Sequence, residues 1–200
     1  MEPRKFMVFD VESVGLHGEG FAVGFVVVDE YGKELDAGRF ACSPDTATSP
    51  GGREAREWVR KNVPEFKDTG CRTPLGVRRS FWDKYEEWKK QGVVLVGEVC
   101  WPVEARFLLQ CIEDQHAYRG WNGPYPLIDL ASILLADGQD PIQLFDRRPN
   151  ELPVHDPLAD ARQSARILIE TLRNLDSTRE TRRGPVPRGE QPRGGVKARR

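Results

Sequence analysis

Two carboxylates close a short apolar run near the start of the chain. Phe6-Met7-Val8-Phe9 leads straight into Asp10, and Glu12 follows with one residue between them. In an extended strand residues i and i+2 point to the same face, so Asp10 and Glu12 aim at one place. Neighbouring anions repel and are costly to hold together unless something cationic sits between them. The pair is therefore either a strand end emerging into solvent or a set of hard oxygen ligands for a divalent metal. A second group stands late in the chain, His155-Asp156-Pro157-Leu158-Ala159-Asp160. A helix favours an anion in its first turn, which is the plain reading of Asp160. That reading does not explain why Ala159 and Ala161 flank it. A lone His155 is more often an ordinary polar residue than a catalyst.

Something must carry these side chains to one point. Residues 4–11 read as a buried strand, 20–29 as a second and 35–42 as a third, with a turn at 30–34 that makes the three a meander. A Ser/Pro/Thr/Gly-rich loop follows at 43–52. Residues 53–62 read as a helix with Ala55, Trp58 and Val59 on its inner face. Residues 77–91 read as another, with Phe81, Tyr85 and Trp88 in line. Residues 93–99 read as an interior strand. Pro102 then opens a helix to about His116, with Ala105, Leu108, Leu109 and Ile112 facing inward. A short strand at 125–128 runs into a helix at 129–136, where Asp129 suits a cap. Residues 138–154 are irregular, and the last long helix starts with Asp156 as N-cap and Pro157 at its first position. A meander followed by alternating strands and helices implies a mixed α/β sheet with helices on its faces. The domain then occupies residues 1–176, and the Arg/Gly/Pro-rich stretch 177–200 reads as a disordered basic tail.

Asp10-Val11-Glu12, Glu104, and His155 with Asp160 together resemble the DEDDh family of 3′–5′ exonucleases. That family has D-x-E on its first strand, an acidic residue on a helix after a central strand, and H-x4-D near its end. "FDVESVGL" is similar to the family's D-x-E-T-x-G-L, with Ser13 in the threonine's place. The middle motif departs from the pattern: in "VCWPVEARFL" Cys100 and Val103 stand where Asn and an aromatic are usual, and Glu104 where Asp is. Glu104 is either a metal-site residue there or a solvated helix residue in a first turn.

The resemblance implies an RNase H-like fold. It also implies a cage of Asp10, Glu12, Glu104 and Asp160 around two divalent cations, with His155 as general base. Oxygen-only donors suit Mg2+ or Mn2+ better than zinc. The substrate class implied is the 3′ end of single-stranded nucleic acid, with release of nucleoside 5′-monophosphates. Similarity to short stand-alone bacterial exoribonucleases favours RNA over DNA. Rival readings are a DNA exonuclease of proofreading type, a non-catalytic nucleic-acid-binding module on the same fold, and an endonuclease of RNase H type.

Charge and composition bound the rest. The chain of 200 residues has net charge −1. Residues 177–200 carry eight Lys or Arg against two Glu, so the preceding 176 residues carry −7. An acidic body needs cations to meet a polyanion; Arg78, Arg79, Lys84, Arg147 and Arg148 are candidates, or else a solvated face. Phe40, Trp101, Trp121 and Tyr125 are candidates for base stacking, or else core residues. Of the four cysteines, Cys42, Cys100 and Cys111 read as buried thiols and Cys71 as a loop residue. None forms a C-x-x-C pair. No apolar run reaches the roughly 18 residues of a membrane span, and the N-terminus lacks a signal-peptide core, so the chain reads as cytoplasmic.

Overall fold

A computed structural model describes residues 2–66 and 70–183. The meander forms as expected from β1 (Lys5–Ser13), β2 (Gly20–Asp29) and β3 (Glu34–Ala41). Two helices, α1 (Gly52–Asn62) and α2 (Pro74–Lys89), lead to β4 (Val94–Gly97). Then come α3 (Val103–Glu113), a single turn α4 (His116–Arg119), β5 (Leu127–Asp129), α5 (Leu130–Ala136) and the long α6 (Pro157–Arg183). The five strands make one mixed sheet in the order β3-β2-β1-β4-β5. β1 is antiparallel to β2 and parallel to β4, and β4 is parallel to β5. The chain therefore winds one way from β1 through β2 to β3 and the other way from β4 to β5. The crevice at such a reversal, at the carboxyl ends of the parallel strands, is where α/β sheets bind ligands. Asp10 and Glu12 lie there.

Alternation along β1 feeds two cores. Met7, Phe9 and Val11 pack with α2 and α3 through Phe81, Trp82, Phe107 and Cys111. Phe6 and Val8 pack on the opposite face with α5 and α6 through Leu130, Leu134, Ala165 and Leu168. A strand covered on both faces reads as an unbroken apolar run, which is why the signal at 6–9 is so dense. At about 1.5–3 kcal/mol for each fully buried large side chain, β1 is pinned too firmly to slip in register. Asp10 and Glu12 continue the Phe6–Val8 side, beneath the start of α6.

Gly24 decides how near that helix comes. It pairs with Asp10 across the β1–β2 ladder. A methyl group at Gly24 would fall 2.2 Å from the Leu158 nitrogen and from the Pro157 carbonyl carbon. The first turn of α6 therefore rests directly on the strand beside Asp10. Asp156 caps it, accepting from the Leu158 and Ala159 amides at 3.0 and 3.4 Å, as the Asp-Pro start predicts.

Four expectations shift. α3 buries Glu104, Phe107, Leu108 and Cys111, whereas Leu109 is exposed and Ala105 and Ile112 only half-buried. The helix is apolar over much of its circumference, and turning Glu104 toward the sheet end moves the buried stripe round by one residue. Trp58 does not join the core; it is 48% exposed, and of the residues in α1 only Val59 is fully buried. Cys100 is half-buried rather than buried. α6 continues past residue 176 to Arg183, because Ser177–Arg183 contains neither glycine nor proline to stop it; the basic stretch from 184 to 200 lies outside the described residues.

Candidate active site

Asp10 and Glu12 rise from the end of β1 into a cleft of about 390 Å3 whose wall also includes Glu98, Trp58, His155 and Asp160. Ligand atoms of Glu12, His155 and Asp160 lie within 4.8 Å of one another. His155 Nδ1 is 3.6 Å from Glu12 Oε1. Glu104, from the first turn of α3, borders an adjoining cleft that shares Asp10, Leu16 and Glu98. The five residues singled out from sequence thus converge on one sheet end, although Asp10 and Glu104 stand outside the tight Glu12–His155–Asp160 set. His155 also brings an imidazole nitrogen into a donor set expected to be all oxygen.

The H-x4-D spacing has a local cause. Asp160 Oδ2 accepts the backbone amide of His155 at 3.0 Å, and Oδ1 accepts from the Arg147 guanidinium. His155 itself has φ of 62°, a left-handed conformation that costs a non-glycine residue on the order of 1 kcal/mol. The Asp160 carboxylate holds that turn in place. Trp58 meets the imidazole edge-on, with ring centroids 5.0 Å apart.

Electrostatics show how crowded the anions are. Burial, then repulsion from Glu104, Glu12 and Asp160, holds the Asp10 carboxyl well above its ordinary range. Burial, then Asp160 and Glu104, pushes Glu12 up to about 8. Burial raises Glu104 to about 7 against the pull of its own amide and that of Val11. Asp160 is raised by burial despite the opposing Arg147. Divalent cations would remove this penalty, and the donor chemistry fits them: buried carboxylates raised toward their neutral form by burial and mutual repulsion, with one imidazole beside them.

Sequence reasoning missed Glu98. Phe9 pairs with Gly97, so Asp10 and Glu98 are the next residues on adjacent parallel strands. Glu98 adds to the repulsion on both Asp10 and Glu104, and its Oε2 accepts from Ser164 Oγ at 2.7 Å. The signal was available: "VLVGE" ends a strand on a carboxylate just as "FMVFD" does. Asp129 caps α5 as expected, accepting from the Ser132 amide. Its pKa is lowered, since bonds from Ser132 and Cys100 outweigh burial.

The supporting candidates sort unevenly. Arg78 is buried and tied to Asp114 and Glu19 at 2.7 and 2.6 Å, so it braces α2 against its neighbours. Lys84 pairs with Glu87 and Asp36, and Arg148 with Glu170. Only Arg147 of these borders the cleft. Among the aromatics, Trp101 is 75% exposed and lines the adjoining cleft. Phe40 stacks on Phe25. Trp121 and Tyr125 are exposed but precede β5, away from the carboxyl ends of the parallel strands.

No protein-family model and no curated protein matches this chain. Solved structures do share its fold. A zinc-bound complex of E. coli exonuclease I with single-stranded DNA superposes with TM-score 0.51 at 16% identity, over 90% of this chain and 42% of that one. A product-bound structure of exonuclease I gives 0.53 at 15% identity, over 90% and 45%. E. coli exonuclease I with a labelled dT13 oligonucleotide gives 0.50 at 16%, over 90% and 42%. This chain thus spans less than half the length of those proteins, and the likeness is one of fold.

Proposed function

We propose that this protein is a divalent-metal-dependent 3′–5′ exonuclease that hydrolyses single-stranded nucleic acid from its 3′ end and releases nucleoside 5′-monophosphates. The observation that carries this reading is the convergence of Asp10, Glu12, Glu104, Asp160 and His155 at one sheet end, with buried carboxylates raised as far as about 8. Such a cluster is unfavourable as a purely structural feature, since repulsion and desolvation both oppose it.

Asp10, Glu12, Asp160 and Glu104 hold two cations, Mg2+ or Mn2+, in this reading. When bound, these neutralise the scissile phosphate and make an attacking water more acidic. The chain's own residues do the rest. Glu12 Oε1 lies 3.6 Å from His155 Nδ1, which leaves Nε2 to take a proton from water. Asp160 keeps the His155 turn in register through its amide bond. Trp58 packs against the imidazole and shields that wall from bulk water.

RNA is the proposed sugar, on the sequence resemblance. DNA is the second reading, supported by neighbours of this fold solved with single-stranded DNA. A cytoplasmic setting belongs to the same proposal; among the described residues no helix is long and apolar enough to cross a membrane. The test is a time course on 5′-labelled RNA and DNA of one sequence with Mn2+, Mg2+ or EDTA, beside Asp10→Asn. A metal-dependent ladder shortening from the 3′ end and lost in the variant is expected, and the faster strand identifies the sugar. Binding without cleavage by the folded protein would put the non-catalytic binding module in its place.

A further inference from the structure

A body of net charge −7 that accepts a phosphate chain at a carboxylate cluster needs a fixed cation there. Of the described residues bordering the cleft, Arg147 is the one arginine or lysine. It stands in the irregular segment before α6, and its guanidinium is used asymmetrically. Nη1 donates to the Glu151 carbonyl at 2.8 Å and also to Asp160 Oδ1. Among the described residues Nε and Nη2 have no hydrogen-bond partner, and neither is a buried, unsatisfied atom. The edge left free is the one with two parallel N–H groups, the geometry that grips a phosphate in bidentate fashion.

The segment is built to be rigid. Glu151, 2% exposed, accepts from Arg166 Nε and Nη2 at 2.7 and 2.9 Å and from the Arg148 amide at 2.9 Å. That clamp closes a short turn at Pro149–Glu151 and presents the Glu151 carbonyl to Arg147. The side chain is therefore held before any ligand arrives, so little ordering is left to oppose binding.

We infer that Arg147 is the phosphate-binding residue of this site: Nη1 orients Asp160 while the free Nε/Nη2 edge takes a non-bridging oxygen of the strand. The assignment rests on the nuclease reading above and adds a contact that the carboxylates cannot make.

The test uses the whole protein and binding, not turnover. Anisotropy of a 5′-labelled single strand with phosphorothioate linkages at its 3′ end is followed in Mn2+ at several salt concentrations. Calorimetric Mn2+ titration without the strand runs beside it. Arg147→Gln should weaken strand binding about tenfold and reduce the slope of log K against log salt by about 0.7, the value for one phosphate contact on a single strand. Its Mn2+ affinity should hold or rise, since a nearby positive charge is gone. Arg147→Lys should recover part of the affinity and the slope. Arg148→Gln, the same charge change on a residue paired with Glu170, should shift binding less than about twofold. Unchanged strand affinity and slope in Arg147→Gln, with Mn2+ bound normally, would overturn the assignment and leave the nuclease reading standing. Loss of Mn2+ binding with an unchanged slope would overturn it too, reducing Arg147 to a brace for Asp160. A wild-type protein that binds neither Mn2+ nor strand would remove the nuclease reading itself, and this inference with it.

Discussion

Glu12→Gln should stabilise the cation-free protein, and the size of the gain can be worked out. Glu12 is pushed from 4.5 to about 8 in the folded state by burial and by Asp160 and Glu104. Its raised pKa means that the folded chain binds this proton more tightly than the unfolded chain. Stability from this group is therefore fully present below about pH 4.5 and falls as pH rises toward 8. At 1.36 kcal/mol for each pKa unit, the whole shift corresponds to about 5 kcal/mol, most of it already lost by pH 8. The repulsive part is shared among Asp160, Glu104 and Asp156, so neutralising Glu12 alone should recover about 2 kcal/mol. For a domain of this size that is roughly 4–8 °C in Tm. Thermal unfolding in EDTA from pH 5 to 8.5 checks it: the two proteins should melt together at pH 5 and separate steadily above it. Saturating Mn2+ should reverse the order, raising the wild type and barely moving the variant. A Glu12→Gln protein no more stable than wild type at pH 8 in EDTA would refute the picture of a repulsive, cation-seeking cluster.

Further consequences concern the frame of the site. Gly24→Ala places a methyl 2.2 Å from the α6 backbone, so the helix start must move; a loss of about 1–3 kcal/mol in stability should come with weakened Mn2+ binding in calorimetry. Arg78→Met leaves Glu19 and Asp114 without their buried partner and should cost about 3–5 kcal/mol, read by urea denaturation. Glu151→Gln should cost about 2 kcal/mol. Because Arg166 holds the Glu151 pKa below its usual value against burial, that difference should shrink as pH falls below about 4.5. Melting curves of the two proteins at pH 3.5 and 7 would show whether it does.

How much of this protein its sequence determines depends on the range of the forces involved. Strand alternation is local, so the common aim of Asp10 and Glu12 was legible from two residues. Caps are local as well, and Asp156-Pro157 and Asp129 set their helix starts where chain chemistry says they should. The H-x4-D spacing is likewise closed within one turn, by the Asp160 carboxylate on the His155 amide. What the sequence left open is whatever needs two distant segments at a defined separation. α3 is apolar around much of its surface, and only contact with the end of β1 selects the face that carries Glu104. Trp58 has the spacing of a core residue, yet it stands at the cleft because His155 arrives there from almost a hundred positions away. Glu98 became part of the cluster through the parallel pairing of β1 with β4, which no local pattern specifies. Arg147 looked like one of many surface cations until α6 brought Asp160 to it. The residue types for the chemistry are written along the chain; their distances were decided by packing, down to the single missing methyl at Gly24 that lets the helix and the carboxylates meet.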